Sequence, residues 1–420
     1  MKLNFSLDET NKNWLLPYII LYFSLIISLI FGEDSTGGAI LDYTNQKQIS
    51  IDFSKEFYGT FFNFDNYATR HSPILIIFLS IFEKLNLSDL LIRFIHLNLC
   101  LFLPLYFFKS LDLIIKNKQI SFFLVSLVFI SPTFRSLAIW PDSRLLGLTF
   151  FTISIYEYLK FNQNRKFSHC IKNILFLSLA AYFSPNFAVF SIFYFYKFIL
   201  YYKNRFKFII YIILLNLILS LPAFLYLSSL ETNFLLKTAA TNLNDESNYL
   251  FNNLSNKILL ISSIIFFYIL PFYILRIFKF NIFSNLYKSI LIPVTFFILG
   301  VCYFDYQFNF TGGGIFFKAS YYFFKNNLVF YLICFFSIIL CFNLSNYKFD
   351  NLLILLLLIL SNPQLTIYHK YYDPLLIILF FTLFNNNISI QKLNKFKNQV
   401  IVFLYFFIFL IVSNLKSYVL

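Results

Sequence analysis

The chain reads as an all-α polytopic membrane protein. Its transmembrane helices number about 11–13 at roughly 20 apolar residues each, and an interfacial helix lies in the first extracytoplasmic loop. Three observations predict this. Of 420 residues, 59% are hydrophobic and only 12% are charged, and the mean hydropathy is +0.72. The apolar stretches run on continuously for about 17–25 residues, the length that crosses a hydrocarbon core of about 30 Å. Only helices or closed barrels satisfy their backbone in lipid, and continuous rather than alternating runs exclude the barrel. Finally, short basic connectors alternate with longer, more acidic ones along the chain.

In order, the spans are expected at 14–31, 89–108, 120–138, 144–160, 171–184, 186–202, 207–228, 257–275, 288–305, 327–344, 351–361, 374–385 and 399–414. The runs 351–361 and 374–385 are short of a full crossing and read as re-entrant or tilted segments. The first run lacks a small-residue cleavage site and reads as a retained span. The whole of 1–420 is expected to form one integral membrane domain, with no separate soluble domain.

Charge orients the spans. With the N-terminus inside, the cytoplasmic connectors collect most of the 33 Lys and Arg and few of the 19 Asp and Glu, as the positive-inside rule requires. The net charge of +14 is therefore topological, and no nucleic-acid partner is implied. The outer side holds the loops of substance: 32–88, 229–256, 306–326 and 362–373. Within the first, residues 72–84 are apolar, too short to span and capped by charge, which suits a helix lying at the interface. Pro73 fits its first turn, where a missing N–H goes unnoticed.

Several chemistries find no motif. The five cysteines have neither disulfide nor zinc spacing. Gly312-Gly313-Gly314 lacks the Lys and Ser/Thr of a nucleotide loop. The 62 Phe and 30 Tyr match a general compositional bias, so no aromatic stripe is read as a ligand site.

Three stretches on the outer side carry a resemblance. They are Gly32-Glu33-Asp34 after the first span, His71-Ser72-Pro73 leading through an apolar helix to Ser88-Asp89 and Arg93, and Ser131-Pro132 followed by Trp140-Pro141-Asp142. A fourth, Tyr368-His369-Lys370-Tyr371-Tyr372-Asp373-Pro374, opens a late span. Together they resemble the GT-C class of membrane glycosyltransferases, in the branch of the protein O-mannosyltransferases and the lipid A aminoarabinose transferase. Order and spacing hold over residues 14–200, whereas 205–350 match only in hydropathy. The chain departs from the pattern in reading Gly-Glu-Asp-Ser-Thr-Gly-Gly-Ala at 32–39, which makes Asp42 a rival for the key carboxylate.

The resemblance implies an inverting glycosyltransferase. It would move a sugar from a polyprenyl-phosphate donor to a lipid, glycan or protein acceptor on the extracytoplasmic face of a bacterial inner membrane. Asp34 is expected as general base, with Asp42 and Glu33 as alternatives. Asp142 is expected to orient the acceptor or a divalent ion, although an Asp here equally suits a helix N-cap. Arg70, His71, His369, Lys370 and Arg144 are the expected partners of the donor phosphate. No cofactor is assigned; if a metal binds, Asp34 and Asp142 are its expected ligands. Arg93 and His96 read as structural. A polysaccharide polymerase and a lipid-linked sugar flippase or transporter are the alternatives. Acids kept out of span centres and an early acidic loop favour the transferase.

Overall fold

The computed structural model describes residues 9–67, 69, 71–230, 249–278, 290–385 and 388–419. Among them there is no strand beyond an isolated bridge between Phe278 and Ile388. Helix α1 (Glu9–Phe31) leads into a segment that folds as α2 (Ala39–Lys55), α3 (Phe57–Phe62) and α4 (Pro73–Lys84). Then follow α5 (Asp89–Cys100), α6 (Phe102–Ile115), α7 (Lys118–Phe129), α8 (Pro132–Ile139), α9 (Ser143–Asn164), α10 (Phe167–Phe183), α11 (Ser191–Tyr202) and α12 (Phe206–Ser229). The remainder comprises α13 (Tyr249–Ile274), α14 (Ile292–Cys302), α15 (Gly314–Phe324), α16 (Leu328–Ser345), α17 (Phe349–Leu360), α18 (Leu375–Thr382), α19 (Ile390–Leu393) and α20 (Phe396–Val419).

Among the described residues, five helices are long and apolar enough to cross a membrane: Asp89–Ile115, in which α5 and α6 run on as one, then Phe206–Ser229, Asn253–Ile274, Leu328–Ser345 and Phe396–Leu415. A sixth arises if α7 and α8, bent by 63°, count as one broken span. Helix α12 makes the membrane argument plainest, because Ile212 is its one buried residue and Leu217, Ile218, Phe224 and Leu225 lie open. A helix apolar all round and so exposed belongs in lipid. The multi-pass helical architecture thus holds.

The expected 11–13 full spans do not follow from these helices. At about 1.5 Å per residue, α18, with eight residues, is too short to cross. All eight of its residues are buried, packed against α6, α9 and α13. Helices α10, α14 and α17 are apolar but likewise short. Helix α9 has the length, yet most of it is buried by its neighbours, and it carries Arg144, Glu157 and Lys160. Helix α18 and most of α9 are lined by protein, so hydropathy alone overcounts crossings.

Serine–proline steps set the N-terminal ends of several helices. Ser72 caps α4, with Pro73 in its first turn. Ser131 caps α8 by accepting from Phe134 N at 3.0 Å, followed by Pro132. Proline fits an N-terminal turn, where its missing N–H is unneeded, and biases the residue before it to extended backbone. The chain therefore turns sharply at each step. The turns at 131–132 and 140–142 carry Asp142 back toward α2.

Candidate functional site

Five separate segments line an open cavity, and four of them bring its charged and titratable groups. Helix α2 brings Asp42, and the turn before α4 brings His71 and Ser72. The start of α9 brings Ser143 and Arg144, with Asp142 just behind. The short 3-10 helix His369–Tyr371 brings Lys370 and Tyr371.

Asp142 does two things at once. It is 1% exposed and caps α9, its Oδ1 accepting from Arg144 N at 2.7 Å. Its two oxygens also hold the Arg144 guanidinium, at 3.1 Å from Nε and 2.8 Å from Nη2. Burial alone would raise the Asp142 carboxyl, but Arg144 and His71 outweigh it and hold it well below the ordinary carboxylate range. Arg144 Nη2 reaches on to Asp42 Oδ2 at 2.9 Å, and Lys370 Nζ meets the same oxygen at 2.9 Å. Burial likewise acts to raise Asp42, and Lys370 and Arg144 overcome it, so the carboxyl sits below its usual value. His71 Nδ1 lies 3.1 Å from Ser143 Oγ, and burial pushes its imidazole down to about 4. At neutral pH the cluster thus holds two carboxylates, two cations and a neutral imidazole.

Asp42, His71 and Asp142 offer ligand atoms that all lie within 4.8 Å of one another. Both carboxylates are already bound by Arg144 or Lys370, so the charge balance runs against a resident dication. Asp34, expected beside Asp142 as a ligand if a metal binds, is not part of this trio because it is engaged elsewhere.

That engagement is extensive. The Asp34 carboxylate accepts from the backbone N–H groups of Gly37 at 3.1 Å, Gly38 at 2.8 Å and Ala39 at 3.2 Å. It also takes the Ser136 hydroxyl at 3.0 Å. These contacts cap α2 and tie it to α8, and an acid at a helix N-terminus is favoured by the helix dipole. Asp34, expected as the base, lines neither cavity described here.

Glu33 departs from its expected role in a similar way. Its carboxylate forms a buried pair with Arg135, 2.9 Å from Nη2 and 3.0 Å from Nε, and also accepts from Ser28 and Asn414. It clips α1, α8 and α20 together. His369, expected at the donor phosphate, faces the interior: its Nε2 lies 3.0 Å from the Tyr268 hydroxyl, and its ring packs on Phe267 and Phe409. Burial lowers it to about 3, leaving a neutral ring. Arg70 lies outside the described residues. Arg93 and His96 are structural: Arg93 sits 3.5 Å over the Trp140 ring, and His96 bonds the Ala138 carbonyl at 3.0 Å.

A second, narrow cavity adjoins the first. The two share Arg144, Ser184, Asn186, Lys370 and Tyr371. Beyond that boundary the walls become apolar, with Leu137, Leu145, Phe187 and Phe190. Asp373 also lines it, bound by Ser131 Oγ at 2.6 Å and Thr133 N at 3.1 Å; burial raises its carboxyl.

Sequence reading missed Ser184, Asn186, Gln364 and Tyr371 as lining residues. A signal for the first two exists: Ser184-Pro185 repeats the serine–proline step of Ser72-Pro73 and Ser131-Pro132. Gln364 and Tyr371 are joined at 2.9 Å, a contact that no local pattern encodes. The 303–313 loop supports this wall, Gly313 N donating to Ile367 O at 2.8 Å. Gly312 makes that approach possible, since with φ +89 an added Cβ would lie 2.5 Å from the Ile367 oxygen.

The chain matches no family model, no curated protein and no solved structure. What the arrangement can do follows from its chemistry. A partly open carboxylate can accept a proton, and two cations can meet a phosphate.

Proposed function

We propose that the protein is an inverting membrane glycosyltransferase that takes its sugar from a polyprenyl-phosphate donor at the extracytoplasmic face of a bacterial inner membrane. The observation that carries this reading is the convergence on one cavity of Asp42, Asp142, Arg144 and Lys370. In the GT-C-like layout, the first outer loop supplies the base, and Asp42 takes that role. The acceptor hydroxyl attacks the anomeric carbon, its proton passes to Asp42, and the bond from that carbon to the phosphate oxygen breaks with its electrons on the phosphate. Lys370 and Arg144 neutralise the charge that builds there. Asp142 is a positioning residue, holding Arg144 through its paired contacts. The change from polar to apolar lining at Arg144 and Lys370 suits an amphiphile with an anionic head.

The test is sugar transfer from lipid-phosphate donors in membranes carrying single variants. Asp42→Asn is expected to lower the rate by about 10²–10⁴-fold, the usual worth of a general base. Asp34→Asn is expected to retain transfer in proportion to the folded protein. Full activity in Asp42→Asn sinks the assignment of the base.

A further inference from the structure

We propose that the Asp42 carboxylate holds the place of the ligand's phosphate, and that a lipid phosphate enters the cavity by drawing Lys370 away from Asp42. This deepens the transferase reading and rests on it for the ligand class.

The argument begins with one oxygen. Arg144 Nη2 and Lys370 Nζ both stand 2.9 Å from Asp42 Oδ2, the spacing of charge-assisted hydrogen bonds to an anionic oxygen. Two cations converging on one carboxylate oxygen reproduce what a phosphate oxygen would receive.

In-line transfer cannot proceed from this arrangement. The base must lie within about 3 Å of the acceptor oxygen, which lies about 3–3.5 Å from the anomeric carbon. The leaving phosphate and its cations sit on the far side of the sugar. Base and cations must therefore be parted by the reacting atoms, yet here they touch. The described arrangement is a latched one, and ligand entry opens it.

The two cations differ in freedom. Arg144 keeps Asp142 whatever happens at Asp42. Lys370 has Asp42 as its carboxylate partner and otherwise lies 5.4 Å from the Tyr368 ring. Lysine is a compact charge on a flexible stem, whereas arginine's fork stays with its paired acid. Lys370 is thus the cation that transfers. Asp42, masked by two cations in this arrangement, becomes a competent proton acceptor when the phosphate draws Lys370 away.

The experiment is a double-mutant cycle on decyl phosphate binding to the purified full chain in detergent. It compares wild type, Asp42→Asn, Lys370→Gln and the double variant, with inorganic phosphate in parallel. Asp42→Asn is expected to bind decyl phosphate about ten-fold tighter, and Lys370→Gln about ten-fold weaker. The double variant is expected to bind no tighter than Lys370→Gln alone, because Asp42 acts through the lysine that has been removed. A tightening from Asp42→Asn that persists undiminished in the double variant means plain charge repulsion and overturns the exchange, as does unchanged affinity in the single variant. Should Asp42→Asn fail to fold, Lys370→Gln decides, since undiminished affinity there overturns the proposal. Equal affinity for inorganic phosphate keeps the exchange but removes the lipid donor. No binding of decyl phosphate by wild type overturns the transferase reading and this inference together.

Discussion

Asp142 holds Arg144 at three points: its Oδ1 accepts the Arg144 backbone N–H at 2.7 Å and Nε at 3.1 Å, while Oδ2 takes Nη2 at 2.8 Å. One carboxylate starts a helix and aims that helix's second side chain across the cavity at Asp42. Helix geometry and site electrostatics are therefore linked through a single residue that is 1% exposed.

Breaking that link is expected to weaken both. Asp142→Ala removes the cap and leaves a largely buried guanidinium with Asp42 alone, a change worth about 3–5 kcal/mol when a buried pair loses one partner. Asp142→Asn keeps a capping oxygen and should lose less. Thermal unfolding of the detergent-solubilised variants checks the ranking wild type above Asn above Ala. Equal midpoints for Asn and Ala would mean that the cap contributes nothing.

Asp34→Ala separates scaffold from chemistry. The substitution removes the acceptor for the backbone N–H groups of Gly37, Gly38 and Ala39, a cap worth about 1–2 kcal/mol. Stability is expected to fall by that order, while transfer per folded molecule is unchanged. A loss of transfer without loss of stability would return the base assignment to Asp34.

Glu33 and Arg135 form the second buried pair, with side chains 12% and 10% exposed. Glu33→Gln or Arg135→Gln alone is expected to cost about 3–5 kcal/mol, because each strands a buried charge. The double variant should recover part of that loss. Unfolding midpoints of the three variants measure it, and strictly additive losses would show that the two residues act independently.

Much of this architecture is legible in the sequence because lipid imposes simple rules. Continuous apolar runs mark α12, α13, α16 and α20, and Ser72-Pro73 and Asp142 mark helix starts that the structure bears out, whereas the span expected over 120–138 is broken at Ser131-Pro132. Span number is not legible in the same way, since α18 is apolar because it is buried in protein, and hydropathy does not distinguish protein from lipid. The choice between Asp34 and Asp42 is hidden for another reason. Both sit in the same loop, and only the folding of α2 decides which carboxylate meets backbone N–H groups and which meets Lys370, 328 positions away. His369 and Lys370 are adjacent in the chain, yet they point to opposite environments because the segment turns as a 3-10 helix.

His71 gives the cluster a pH signature. Burial lowers its imidazole from 6.5 to about 4, with Asp142 and Asp42 pulling upward and Arg144 and Lys370 pulling back. The folded protein therefore keeps His71 neutral where the unfolded chain would already bind a proton. The sign follows: the unfolded state binds more protons between about pH 6.5 and 4, so stability falls as pH drops through that window and is fully present above it. The slope approaches about 1.4 kcal/mol per pH unit at most. His71→Gln keeps a polar side chain within reach of Ser143 but cannot titrate. Denaturation of wild type and His71→Gln at a series of pH values is expected to give curves that run parallel above about pH 7 and converge toward pH 4. The remaining histidines are common to both proteins, so the difference between the curves isolates His71. Curves that stay parallel throughout would mean that His71 titrates alike in folded and unfolded chains, and that water reaches it freely in the cavity.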